Sequence, residues 1–197
     1  MEDLNYLKKN YDYIAGCDEV GRGPMAGPVV AGCFYLELKK LTPKMIKMLF
    51  FELEKLGVDD SKKLTNAKRN YILDSLGIKL ENLEPEQKYS FTNQKFTGLS
   101  YSIKEIQHDE IDKINILQAS LKAMAKAFLL LQKKDYKGVL LIDGNKRCNI
   151  KQKGIDETPL IKGDQRSILI ALASIVAKQY RDQLMELYAK KYPVYGF

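Results

Sequence analysis

One histidine and three cysteines among 197 residues leave few of the side chains that hold zinc. His108 has no ligand-spaced partner, so a surface or packed histidine is expected there rather than a zinc ligand. Cys17, Cys33 and Cys148 are widely scattered and show neither metal-finger spacing nor a disulfide framework, which points to a reducing compartment. No apolar run reaches membrane-spanning length, so no membrane association is expected. Met1-Glu2-Asp3-Leu4-Asn5 carries acidic residues and no apolar signal core, and the cytoplasm is the expected location. A Gly-Lys-Ser/Thr phosphate loop, internal repeats and low-complexity tracts are all missing.

What is present suits an ordinary globular protein: 45% hydrophobic and 29% charged residues, in a length that fits one domain able to bury a substantial core. The formal net charge of +7 suits a polyanionic partner such as nucleic acid, although solubility alone explains many basic surfaces.

Apolar runs predict strands over Tyr13–Cys17, Val29–Leu38, Gly98–Ile106 and Val139–Asp143, with a weaker candidate over Pro159–Lys162. Helices are expected over Pro43–Lys55 and over Asn66–Leu76 behind a Thr65 cap. Another is expected over Asp109–Gln132, and a fourth over Arg166–Tyr188, broken near Lys178. Residues 79–95 read as a polar loop. Early strands with short connections imply an antiparallel section, and the later strand–helix alternation implies parallel crossovers. The fold class is therefore α/β, a mixed β-sheet flanked by helices.

The most informative run is Cys17-Asp18-Glu19-Val20-Gly21-Arg22-Gly23-Pro24. Carboxylates are out of place at the end of an apolar strand. Gly21 and Gly23 permit a turn and a close approach by another backbone. Arg22 offers a planar fork to phosphate oxygens. On their own, Asp18 and Glu19 also fit a turn cap. Asp143-Gly144-Asn145 is a natural turn, though Asp143 directly follows a buried strand. Asp164 fits a helix cap, and Lys62-Lys63 fits a solvated pair. Gly21-x-Gly23-x3-Gly27 superficially matches a dinucleotide fingerprint, but Pro28-Val29-Val30 continues as a strand where that fingerprint should open a helix.

Taken together, these runs resemble the ribonuclease HII family. The blocks are Gly16 to Val30, Asp60-Ser61-Lys62-Lys63-Leu64-Thr65, Glu110 to Leu117, Ile142-Asp143-Gly144-Asn145, Lys162-Gly163-Asp164, and Ala173 to Lys178 followed by Arg181-Asp182. They stand in family order across nearly the whole chain. The resemblance implies a ribonuclease H-like fold and cleavage of RNA within RNA–DNA hybrids, including single ribonucleotides embedded in duplex DNA. The products would carry a 5′-phosphate on the ribonucleotide side and a 3′-hydroxyl on the other. Asp18, Glu19, Asp143 and Asp164 would be the catalytic and metal-ligating set for Mg2+ or Mn2+. Gly21, Arg22 and Gly23 would contact the ribonucleotide. Lys62 is a further nucleic-acid candidate by the same match, with Ser174 and Lys178 behind it. Asn145 is a possible support for the metal site, and Arg181-Asp182 reads as structural or supporting. A monomer is expected.

Oxygen-only ligands suit magnesium and manganese. Several converging carboxylates repel one another until cations arrive. Two such ions, about 3.5–4 Å apart, serve both the attacking water and the leaving oxygen.

The chain departs from the family at Tyr192-Pro193-Val194-Tyr195-Gly196-Phe197. This resembles a Tyr-Gly-Phe segment after which members usually continue into a Lys-Gly-Tyr motif that stacks on the nucleic acid. Tyr192 and Tyr195 do not match that tyrosine. Its loss is expected to weaken recognition by about 1–3 kcal/mol. Two alternatives follow: a hybrid-binding module with little activity, and a ribonuclease HIII-like enzyme. The second is disfavoured because that family usually has lysine where Arg22 stands and carries an N-terminal extension.

Overall fold

The computed structural model describes residues 2–7, 9–24 and 26–196. Met25 of the glycine-rich run and the terminal Phe197 lie outside them.

Six strands form one sheet: β1 (Tyr13–Val20), β2 (Val29–Glu37), β3 (Lys88–Ser90), β4 (Leu99–Ile106), β5 (Gly138–Asp143) and β6 (Ile155–Leu160). Their order is β3-β4-β2-β1-β5-β6. The first four pair antiparallel, while β1–β5 and β5–β6 pair parallel. The expected mixed sheet is therefore present. Around it lie α1 (Asp3–Tyr6), α2 (Pro43–Lys55), α3 (Asn66–Leu76), α4 (His108–Ile114), α5 (Ile116–Leu131) and α6 (Ile168–Lys191).

Alternation along β1 divides its side chains between two cores, since successive strand residues point to opposite faces. Ile14 faces a layer with Phe34, Leu36, Leu169, Ile170 and residues of α2 and α3. Tyr13, Ala15 and Cys17 face a layer with Tyr35, Met124 and Phe128. Each fully buried Leu, Ile or Phe contributes about 1.5–3 kcal/mol. On the first face α6 comes unusually close to the sheet. A Cβ on Gly32 would meet the Ala173 carbonyl oxygen at 2.4 Å, and one on Gly16 would meet the Ile170 nitrogen at 2.5 Å.

Four sequence expectations need correction. The stretch expected as one helix over Asp109–Gln132 is two helices bent by 117° at Asn115. Asn115 adopts φ +67°, and its side chain accepts the Gln118 N–H, so it ends α4 and caps α5. The break expected near Lys178 is absent from α6, where a Lys178–Asp182 ion pair spans the next turn. The fifth strand lies at Ile155–Leu160 rather than Pro159–Lys162. It is an edge strand in the sheet order, where the missing N–H of Pro159 is tolerated, and Lys162 turns out of it with φ +55°. Residues 79–95 contain the short edge strand β3. Thr65 caps α3 as expected, accepting the Lys68 N–H. Among the described residues no single helix is long and apolar enough to cross a membrane.

Candidate metal and nucleic-acid site

The sheet brings two of the acidic positions together by register alone. Cys17 pairs with Ile142 in the parallel β1–β5 ladder, so Asp18 and Asp143 leave adjacent strands at the same level. Asp164 joins them from the 3-10 turn Gly163–Gln165 that leads into α6. That turn is fixed to the site, because the Gly163 N–H donates to Asp143 Oδ1 at 2.7 Å.

Charge couples the cluster. Burial pushes Asp18 well above the ordinary carboxylate range, and Glu19 and Asp143 push it further; bonds from Ser174 and the Glu19 N–H act against them. Glu19 is raised by burial and by Asp143, against the pull of Arg22. Asp164 is raised to about 6 by burial, then by Asp60 and Asp143. These shifts mark carboxylates that are costly to ionise side by side.

Each carboxylate leans on a local partner. The Glu19 N–H reaches Asp18 Oδ1 at 2.7 Å, and Arg22 Nη1 reaches Glu19 Oε1 at 3.1 Å. Asp164 bonds Asp60. Accordingly, among the described residues no three acidic, histidine or cysteine side chains already converge on one point in the manner of a closed metal cage. The donor set nonetheless fits hard divalent cations: the donors are carboxylate oxygens, and their repulsion is what a cation relieves.

The other expected positions divide. Gly21 takes φ +101° and lies against Arg181, where a Cβ would meet Arg181 Nε at 2.6 Å. Gly23 faces open space. Arg22 is half exposed and folds back onto Glu19. Ser174 joins the acidic cluster, bonding Asp18 and lying 2.8 Å from the Ser61 hydroxyl. Lys62 is exposed on the Asp60 turn, and its charge acts on Asp164. Lys178 is committed to Asp182, which also faces Arg69 at 3.8 Å. Asn145 is exposed, without a side-chain hydrogen bond among the described residues. His108 is exposed at the start of α4.

Asp60 was not among the expected site acids. It is almost fully buried, accepts the Lys62 N–H at 2.9 Å and a bond from Gln165 at 3.2 Å, and shares a hydrogen bond with Asp164. Burial acts upward on it, but those bonds prevail and hold it below the ordinary range. Asp60 is thus the hydrogen-bond acceptor of the pair, and Asp164 the member driven toward its protonated form. Arg181 proves to be the support for the glycine-rich turn. Buried, it donates to the Pro28 carbonyl at 3.0 Å and the Ala26 carbonyl at 2.8 Å.

Comparison with known proteins identifies the family. The family model described as Ribonuclease HII matches residues 15–196. A Ribonuclease HII from Caldanaerobacter subterraneus subsp. tengcongensis is 39% identical over 98% of this chain and 66% of its own length. One from Clostridioides difficile is 40% identical over 100% of this chain and 65% of its own. The chain thus spans about two thirds of the length of these curated relatives. Among solved structures, ribonuclease H2 from Pyrococcus horikoshii OT3 superposes with a TM-score of 0.61 at 22% identity, over 91% of this chain and 77% of that one. Bst-RNase HIII in complex with Mn2+ gives 0.59 at 18% identity, over 94% and 56%. These last two likenesses concern the fold.

Proposed function

The chain belongs to the ribonuclease HII family, and from that premise we propose that it is a metal-dependent endoribonuclease acting on RNA–DNA hybrids and on single ribonucleotides embedded in duplex DNA. The observation that carries the reading is the meeting of Asp18 and Asp143 on adjacent parallel strand ends, with Asp164 tied in through Gly163. Asp18, Glu19, Asp143 and Asp164 would hold Mg2+ or Mn2+. Bound divalent ions would supply the activation of water and the neutralisation of the leaving oxygen. Gly23, which faces open space, leaves its backbone free to approach a ribose 2′-hydroxyl, the group that separates RNA from DNA, while Gly21, packed against Arg181, would shape the turn that brings it there. Arg22 would exchange Glu19 for a substrate phosphate. Lys62 adds a second cation at the Asp164 side, while Ser174 orients Asp18; Lys178, tied to Asp182, would have to leave it to reach a phosphate. Residues 1–197 would act as one monomeric catalytic unit. The free thiols of Cys17, Cys33 and Cys148 favour a cytoplasmic setting.

The deciding experiment offers a duplex with one embedded ribonucleotide, in magnesium, beside an all-DNA duplex. The expected result is a single nick at the ribonucleotide, leaving a 3′-hydroxyl and a 5′-phosphate, with the all-DNA duplex intact. Tight binding to the hybrid without any nick would favour the hybrid-binding module instead. Cleavage of both duplexes would remove the specificity assigned to the glycine-rich turn.

Cation and proton should compete for the same oxygens, which is testable without any substrate. Asp18, Glu19 and Asp164 have folded pKa values above their unfolded ones. Between about pH 4 and the raised folded values, the native state therefore holds more protons than the unfolded state, and stability falls as pH rises through that window. Asp60, held low, works in the opposite sense, at pH values below this window. A divalent cation binds the ionised cluster. Magnesium at ten times its Kd should stabilise the protein at pH 8 by about 1.4 kcal/mol, or roughly 3–6 °C in Tm. The increment should shrink at pH 5. Equal increments at both pH values would separate the cation from these carboxylates.

A further inference from the structure

The segment that follows Asp143 carries four cations, Lys146, Arg147, Lys151 and Lys153, all exposed. None of them forms an ion pair or hydrogen bond among the described residues. The segment has no regular secondary structure, yet it is firmly tied. Glu157 on β6 accepts three consecutive backbone N–H groups: Cys148 at 2.6 Å and Asn149 at 3.0 Å on Oε2, and Ile150 at 2.7 Å on Oε1. Asn149 takes φ +58°, which turns the chain so that these donors face one carboxylate. Cys148 and Ile150 pack against the core layer of Tyr13 and Phe128. The loop starts beside the acidic cluster and runs back along β5 to Gly154. It begins at Asp143, and Glu19 is among the charges that act on the Cys148 thiol.

We propose that residues 145–153 are a phosphate-backbone contact for the duplex substrate, and that Glu157 is the positioning residue that presents it. The inference rests on the nuclease reading above. The Glu157 carboxylate is spent on backbone N–H groups, and none of the four cations has an ion-pair partner among the described residues. Like charges packed into eight residues repel, and a polyanion relieves that repulsion. A loop held in place by its own backbone loses less freedom on binding than a mobile one. Lys146 and Arg147 follow directly on the acidic strand end, and Lys151 and Lys153 continue the row toward Gly154, whose carbonyl accepts the Gly138 N–H at the opposite end of β5; flanking phosphates that lead away from a scissile one held at Asp18 and Asp143 would follow that row.

The test measures binding of an RNA–DNA hybrid duplex in calcium across a salt series. Each phosphate contact adds about 0.9 to the slope of log K against log salt. Lys146→Gln, Arg147→Gln, Lys151→Gln and Lys153→Gln combined should lower that slope by about 2–3.5 and weaken binding at least tenfold at 0.1 M salt. These are exposed positions, so the variant folds. Glu157→Gln supplies a test of sign. Removing a negative charge would, by electrostatics alone, tighten binding to a polyanion; loss of the clasp predicts weaker binding and a lower slope, with an unchanged far-UV spectrum. An unaltered slope in the fourfold variant, or tighter binding by Glu157→Gln, overturns the proposal. If the unmodified chain neither binds the hybrid nor nicks it in magnesium, the nuclease reading itself fails, and that result is distinct from failure of the loop alone.

Discussion

Asp143→Asn should lower magnesium-dependent cleavage by about a thousandfold or more, equivalent to ~4 kcal/mol of transition-state stabilisation, while leaving the protein folded. The substitution is nearly isosteric, and the new amide oxygen can still accept the Gly163 N–H that holds the turn before α6. What disappears is the charge. Its removal also relieves Asp18 and Glu19, both raised in part by Asp143. The variant should therefore melt no lower than the parent in the absence of cations, and its magnesium-induced rise in Tm should be smaller. Hybrid binding measured in calcium should survive largely intact, because the basic and glycine-rich contacts are untouched. Retained cleavage would return Asp143 to the role of a turn residue. A large fall in Tm would mean that the lost activity reports unfolding.

Why Asp143 was readable in the chain and Asp60 was not has a physical basis. Val139-Leu140-Leu141-Ile142 is a short apolar run, and a carboxylate at its end is anomalous within a local window. The same holds for Asp18 after Tyr13–Cys17. Both anomalies mark strand ends, and the parallel ladder then aligns them. Asp60 sits in Asp59-Asp60-Ser61-Lys62-Lys63, which by composition is a solvated turn. Its partners Gln165 and Asp164 lie about a hundred residues further along, in the turn before α6. No spacing rule carries information across that much chain. The misplaced elements have the same cause. Asn115 breaks a helix whose apolar spacing is continuous, through a side-chain cap that periodicity does not register. α6 runs straight through Lys178 because burial of its first ten residues and the ion pair to Asp182 outweigh local preference. Arg181 and Asp182 were legible as supporting residues, but their partners, the Ala26 and Pro28 carbonyls for Arg181 and the Lys178 and Arg69 side chains for Asp182, were not.

Gly32 ties this dependence on α6 to the site, and its substitution should produce the largest loss of stability. Gly32 is the register partner of Asp18 across the β1–β2 ladder. Without a side chain it lets α6 settle against the sheet. An added Cβ would lie 2.4 Å from the Ala173 carbonyl oxygen and 3.0 Å from Val176 Cγ1. The first obstacle is backbone within a long helix, so no rotamer change removes it. Gly32→Ala should cost about 3 kcal/mol, the upper part of the overpacking range, or roughly 6–12 °C in Tm for a chain of this size. Gly23→Ala is the matched control, because its Cβ would meet nothing within 4 Å; its Tm should stay at the parent value. The functional effect follows from what α6 carries. Ser174, adjacent to Ala173, bonds Asp18, and the turn holding Asp164 feeds directly into the same helix. Lifting α6 should therefore separate Asp164 and Ser174 from the strand-end acids, so the folded fraction of Gly32→Ala should also show a weakened magnesium response. If Gly32→Ala melts with Gly23→Ala, the close approach of α6 is not what positions the acidic cluster, and the site must be held by β1 and β5 alone.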